Sequence, residues 1–383
     1  MGGGSLQDTK LVVVGANLVP GPATYEGQGF YSLNGTDFIE INEPSFNQEG
    51  IQYQGIGYNT TTDNEEPKWA LVGAATTFGI DISYNGFYSN DGINWNIIED
   101  ASYFSVTNNS FESIASDGSK NWVAVGNTND FSIPISITSI SIYSPNTWTS
   151  FDLFTISGDL NLYYSVDYFN NYWICVGQIN QGFGANLGGV WASSTKDPTD
   201  SWNFINDMSF SQYVYQGVGH DITGRWMVVG QDNSGNFNGK AFYSEQNSNP
   251  ADSSWTAIVD PSVDISNTIW YDSDYSPVYD RWVIVGSKGS NARIVYNDSG
   301  DITSWNVADL SDPNLSGFET AYSVVWDKTH NKFYCVGARQ NNLLETYGVI
   351  AESISGEVWQ KTESTYDASQ NLFFAIGTSN PNQ

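Results

Sequence analysis

Basic side chains are scarce in this sequence: 13 Lys and Arg stand against 42 Asp and Glu in 383 residues, a net charge of −29 with neutral histidines. A field of that sign repels phosphate backbones, which excludes a nucleic-acid binder. Two cysteines, Cys175 and Cys335, are too few for a disulfide framework. Two histidines, His220 and His330, cannot supply a His-rich metal site. No apolar run reaches the roughly 18 residues that a membrane-spanning helix needs, so no membrane insertion is expected. The opening Met1-Gly2-Gly3-Gly4-Ser5-Leu6-Gln7-Asp8 lacks the basic region and apolar core of a secretory signal, and its serine falls one position early for myristoylation. Residues 1–9 read as a flexible leader and 10–383 as one domain. P-loop, paired-cysteine zinc and dinucleotide fingerprints are also missing.

Aromatic residues are plentiful, with 14 Trp, 23 Tyr and 20 Phe, and they exclude a disordered acidic chain. They also follow a period. An aromatic or apolar residue, an apolar run and Val-Gly recur as Leu11–Gly15, Trp69–Gly73, Trp122–Gly126, Trp173–Gly177, Trp226–Gly230, Trp282–Gly286 and Phe333–Gly337. Successive glycines are 58, 53, 51, 53, 56 and 51 residues apart. Such regularity marks an array of one supersecondary unit.

Each period carries four β-type runs, A to D. Run B is the Val-Gly motif, apolar on both faces like a strand buried between neighbouring sheets. Run A precedes it, as in Tyr53–Tyr58, Phe111–Ser116, Tyr163–Tyr168, Tyr215–His220, Trp270–Tyr275 and Ala321–Trp326. Run C reads Gly29–Ser32, Gly86–Ser89, Ser141–Ser144 and Ala241–Ser244. Run D is marked by Trp95, Trp148, Trp202, Trp255, Trp305 and Trp359, with Phe38 in the first copy. Of the 14 Trp, 11 therefore belong to B and D positions, and Trp191, Trp270 and Trp326 fall in runs C and A. Four antiparallel strands per period without helices predict an all-β, seven-bladed β-propeller. The first copy has no A run; a C-terminal strand at about 372–378 supplies it and closes the ring. Cys175 and Cys335 occupy one position of run B in different blades, too far apart to bond, and read as free buried thiols.

The turn Ser89-Asn-Asp91-Gly-Ile-Asn-Trp95 resembles the Asp-box repeats of sialidase-like propellers, one residue shorter between Asp and Gly. The fuller pattern, Trp-x-x-Val-Gly then Tyr-Ser-x-Asp-Gly-x-x-Trp, is similar to propeller repeats in structural and tail proteins of phages and large DNA viruses. That resemblance implies the fold and, as an expectation, a virion component.

No catalytic residue, cofactor or metal is assigned. A sialidase needs three converging arginines, whereas Arg225 and Arg281 are equivalents in A–B turns of adjacent blades, Arg293 enters a C strand and Arg339 follows a B strand, so the four are not expected to converge. Asp167 and Asp274 hold equivalent A-strand positions two blades apart near the channel, where they serve either as an acid–base pair or as hydrogen-bonding groups of a polar, water-filled channel. Asp232–Asn238 alternates oxygen side chains but lacks the bidentate Glu of a calcium loop, and reads as turn chemistry.

Two sets of residues are candidate binding surfaces. Phe78, Phe131, Phe183, Phe237 and Leu343 stand near the tips of B–C loops and either form a broken apolar ring on one face or cap their own blades. The A runs end in Tyr58, Tyr168, His220, Tyr275 and Trp326, which either rim the channel or pack between blades. The expected function is a non-enzymatic structural or attachment protein of a virion. Its partners would be other virion proteins or a host-surface glycan or protein. A lectin or glycoside hydrolase, and an intracellular scaffold located in the cytoplasm, are the alternatives.

Overall fold

The computed structural model describes residues 10–19, 24–60, 68–75, 85–100, 103–104, 109–128, 134–139, 147–151, 153, 160–180, 186–193, 195–205, 213–233, 237–246, 248–340, 346–362 and 371–379. The expected leader, 1–9, lies outside them. Among the described residues 28 strands, numbered β1 to β28 in chain order, form five four-stranded antiparallel sheets and one eight-stranded sheet. The larger sheet is two four-stranded runs joined at one residue pair, Ala74–Ser110.

The expected ring closure is present. Strand β28 (Asn371–Thr378) pairs antiparallel with β1 (Leu11–Val19) and completes the sheet begun at the N-terminal side. Seven inner strands then follow one another around the axis. They are β28, β4 (Ile51–Tyr58), β8 (Asn109–Ser116), β12 (Leu160–Phe169), β16 (Tyr213–His220), β20 (Thr268–Ser276) and β24 (Phe318–Asp327). Each packs on the next, and β24 packs on β28. This is the closed radial plan of a β-propeller.

The cores sit between sheets rather than at the centre. Ile174, Val176 and Val190 of one sheet pack on Tyr215, Trp226 and Val228 of the next. At the closure, Leu11, Val13, Phe30 and Phe373 pack on Tyr334, Val336 and Ile350. Run B is apolar throughout because its two faces belong to two such cores. All 14 tryptophans are buried, so the aromatic excess is packing material.

One strand differs from the sequence expectation. The third strand of the third unit is β10 (Pro134–Ser139), not Ser141–Ser144, of which 141–144 lie outside the described residues. Ser139 pairs with Trp122 as Ser89 pairs with Trp69, and buried Ile137 takes the place of Phe87. Buried Ile137 supplies the apolar contact that Phe87 supplies in its sheet, so the pairing takes the nearer alternating segment.

The Asp-Gly turn is built as expected. Gly92 adopts φ +72°, Ser89 Oγ accepts from its N–H at 2.9 Å, and Asp91 Oδ1 accepts from the amides of Ile93 and Asn94, each at 2.8 Å. Asn34 repeats the scheme beside Gly35. Cys175 and Cys335 are free and buried, and burial pushes both thiols well up. A thiol-exchange reagent is expected to label neither in the native protein and both after denaturation.

Candidate functional site

The Val-Gly motif explains the channel. In every inner strand one residue bulges out of register opposite the motif glycine: Gln54, Glu112, Tyr164, Gln216, Tyr271, Tyr322 and Phe374. The bulge drives the preceding carbonyl against that glycine. A Cβ on Gly73 would lie 2.5 Å from the Gln52 oxygen, and the other six motif glycines meet their carbonyls more closely still. Bulges re-aim side chains. Here they turn one side chain per inner strand into a cavity of about 430 Å³, lined by all seven.

This ring is uneven. Tyr271, Tyr322 and Phe374 form an aromatic arc over three consecutive inner strands, with centroids 5.3 Å apart at each step and rings tilted by 59° and 54°. Gln54, Glu112 and Gln216 make the remainder polar, with Tyr164 next to Glu112. No Lys or Arg is among the lining residues. Burial raises Glu112 from an ordinary 4.5 to about 7, offset in part by the hydroxyl of Ser110, which donates to it at 3.0 Å. Burial likewise raises Asp272 to about 6 and Asp274 to about 7.

Asp167 and Asp274 both line the cavity, yet each bonds to the neighbouring inner strand. Asp274 Oδ2 accepts from Trp326 N at 2.6 Å, and Asp272 Oδ2 accepts from Ser323 Oγ and Val324 N at 2.9 and 3.0 Å. Asp167 Oδ2 meets His220 Nδ1 at 2.7 Å. Elsewhere glycines do the same work by contact, as where Gly219 rests on the Ser273 carbonyl. The wall is stapled from strand to strand either by a carboxylate or by bare backbone.

The strand-end aromatics pack on their own sheets, and Tyr58 and His220 also line the cavity. Tyr58, Tyr168, His220, Tyr275 and Trp326 each pair with the first aromatic of the adjoining B strand at 4.7–5.5 Å. His220 departs from the pattern because its ring carries nitrogen. Phe169 stacks on it at 4.2 Å and Nδ1 goes to Asp167, while buried Nε2 has no partner among the described residues. Burial alone would lower its pKa, but the carboxylate of Asp167, helped by the more weakly acting Asp274 and Asp221, raises it overall.

Of the proposed loop ring, Phe237 is 44% exposed and stands at a left-handed backbone position, φ +47°. Phe78, Phe131, Phe183 and Leu343 lie outside the described residues. Asp232 closes its own turn, accepting from Asn238 N and Nδ2 at 2.9 Å each. The arginines stay apart: Arg225, Arg281 and Arg339 each cover a local tyrosine, and Arg281 also bonds Glu357 at 2.6 Å. Asn59 and Asn297, two sequon asparagines, are buried and leave no room for a glycan.

The seven bulged residues were not singled out from the sequence. Their signal was present, since an isolated glycine inside a strand pattern marks a bulge or a close backbone approach.

No family model and no curated protein matches the chain. Solved structures do. A protein from Lactobacillus plantarum superposes over 95% of this chain and 98% of its own, with TM-score 0.57 and 8% identity. The Dos1 propeller covers 94% and 83%, with TM-score 0.54 and 7% identity. The fold is a β-propeller. An α-L-arabinofuranosidase from Fusarium graminearum, in complex with an iminosugar inhibitor, shares the propeller fold at TM-score 0.50 and 12% identity over 85% and 92%. Likeness at these identities establishes the architecture and leaves the activity to the residues of this propeller.

One consequence of the buried carboxyls is testable on stability. Glu112 has a raised folded pKa, so its contribution is fully present below about 4.5 and is lost as pH rises through about 7. Glu112→Gln removes that loss while keeping an acceptor for Ser110. The variant is expected to gain on the order of 2 kcal/mol relative to wild type between about pH 5 and pH 8. Paired thermal melts at the two pH values check this, and equal shifts at both would contradict it.

Proposed function

We propose that this propeller is a non-enzymatic binding module that docks a basic or neutral partner on its acidic exterior, and that it does so as a component of a virus particle. Charge imbalance carries the docking part. Besides the excess of 42 acids over 13 bases, five of the bases are already tied to carboxylates: Lys196 to Asp117, Lys240 to Asp232, Arg281 to Glu357, Lys288 to Asp264 and Lys332 to Glu352. The uncompensated surface is therefore acidic and steers cationic surfaces toward it. Resemblance of the repeat to those of phage and large-virus proteins supports the virion part. Mass spectrometry of purified particles whose genome encodes the chain should find it in fixed stoichiometry. Its absence from particles, with a stable partner in host lysate, would transfer it to the intracellular-scaffold class.

A second reading, action on carbohydrate, is favoured by Asp274 and Glu112, both held near 7 where a general acid works. The propeller of the arabinofuranosidase lends this reading a scaffold precedent. Glycan-array binding, or hydrolysis that vanishes in Asp274→Asn and Asp167→Asn, would favour it over docking.

A further inference from the structure

We infer that the central channel is a binding site for a small organic cation of the alkylated-ammonium type. The ligand would be held by the Tyr271–Tyr322–Phe374 arc together with the carboxyls of Asp272, Asp274 and Glu112. Three observations converge on this. The three rings line the cavity on consecutive strands and are tilted to one another, an arrangement that suits a compact cation better than the flat platform on which a sugar stacks. Four carboxyls, those of Glu112, Asp167, Asp272 and Asp274, line the cavity with one imidazole and no Lys or Arg. His220 bonds Asp167 and acts on Asp274 only through space, so one imidazole faces four carboxyls and neither Glu112 nor Asp272 bonds a cationic side chain among the lining residues. Finally, the rings owe their place to the bulges, and in the ring order Glu112 stands across the channel from the strands of Tyr271 and Tyr322.

Burial raises the proton affinity of these carboxyls, as it does wherever charge is left uncompensated in an enclosed site. An ammonium ligand would supply the missing charge. Its alkyl groups would meet the ring faces, and the cavity volume of about 430 Å³ admits such a group with room for a chain behind it. Neither the exterior charge nor virion membership enters here, so this site stands or falls separately from the docking proposal.

Calorimetric titration of the whole protein with tetramethylammonium tests it, in about 0.15 M NaCl to screen the exterior field. The neutral near-isostere tert-butanol is titrated in parallel. The cation is expected to bind at least about tenfold more tightly than the alcohol. Tyr322→Leu should weaken it about tenfold, whereas Tyr322→Phe, which keeps the ring, should stay near wild type. Glu112→Gln should weaken it without lowering the melting temperature. Equal affinity for cation and alcohol, absence of heat with either, or binding indifferent to Tyr322→Leu would overturn the assignment. So would heat from a neutral methyl glycoside alone, which would instead support the carbohydrate reading.

Discussion

Gly230→Ala is expected to unfold this propeller or cost it several kcal/mol, although it adds a single methyl group. Gly230 lies opposite the bulge at Gln216, and a Cβ there would run into the carbonyl oxygen of Val214 and the Cα of Tyr215. Both obstacles are backbone, so no rotamer change relieves the clash. The remaining escape is to remove the bulge, which slips the inner strand by one residue. That slip would turn buried Tyr215 and Val214 to the wrong faces. Overpacking a core costs about 1–3 kcal/mol when side chains can yield, and here they cannot. Against a total stability of roughly 5–15 kcal/mol the loss is large. Gly377→Ala is the control, because its Cβ would meet only the side chains of Ile56 and Trp69 at 3.2 Å. Thermal melts should separate the two variants by about 6 °C or more. A Gly230→Ala protein melting with wild type would refute the account of the motif.

The second large effect concerns closure. Without residues 371–378 the strand β1 loses its partner on the inner side and keeps only β2 (Thr24–Ser32), and Phe373, Ala375 and Ile376 leave two inter-sheet cores. Such a chain should yield no soluble monomer, because an open apolar edge recruits other chains. Phe373→Ala is the milder form. This ring is 1% exposed and sits edge-on to Phe30 at 5.4 Å, so its loss should cost about 3–5 kcal/mol. Size-exclusion chromatography and denaturant titration read the two outcomes. A soluble, cooperatively folding monomer lacking β28 would show that the seam is dispensable.

Most of the architecture was legible because the repeat states it seven times. Trp and Val-Gly at a steady period gave the B strands, and the D tryptophans gave the outer edge. The third C strand was misplaced because Ile137-Thr138-Ser139 does the job of Phe-Tyr-Ser without looking like it. The channel was less legible, for a different reason. Asp167 and Asp274 were visible as paired carboxyls, but whether they act or staple depends on amides of the adjacent strand, which no spacing reveals. The bulged residues share no residue type, running from Gln54 to Phe374, so only the facing glycines betray them. His220 read as one more rim aromatic, and its tie to Asp167 crosses 53 residues of chain.

The seam also has a meaning in time. Lys10 and Ser379 hydrogen-bond to each other through both main chain and side chain across 369 residues. At ordinary elongation rates, roughly 20–70 s separate the emergence of those two ends from the ribosome. For that interval every sheet can assemble except the one that makes the circle. The nascent molecule spends it as an open crescent in which β1 is paired with β2 alone and its inner edge is bare. Its acidic character then acts before any partner is met, since like-charged crescents on neighbouring ribosomes repel one another until each has closed.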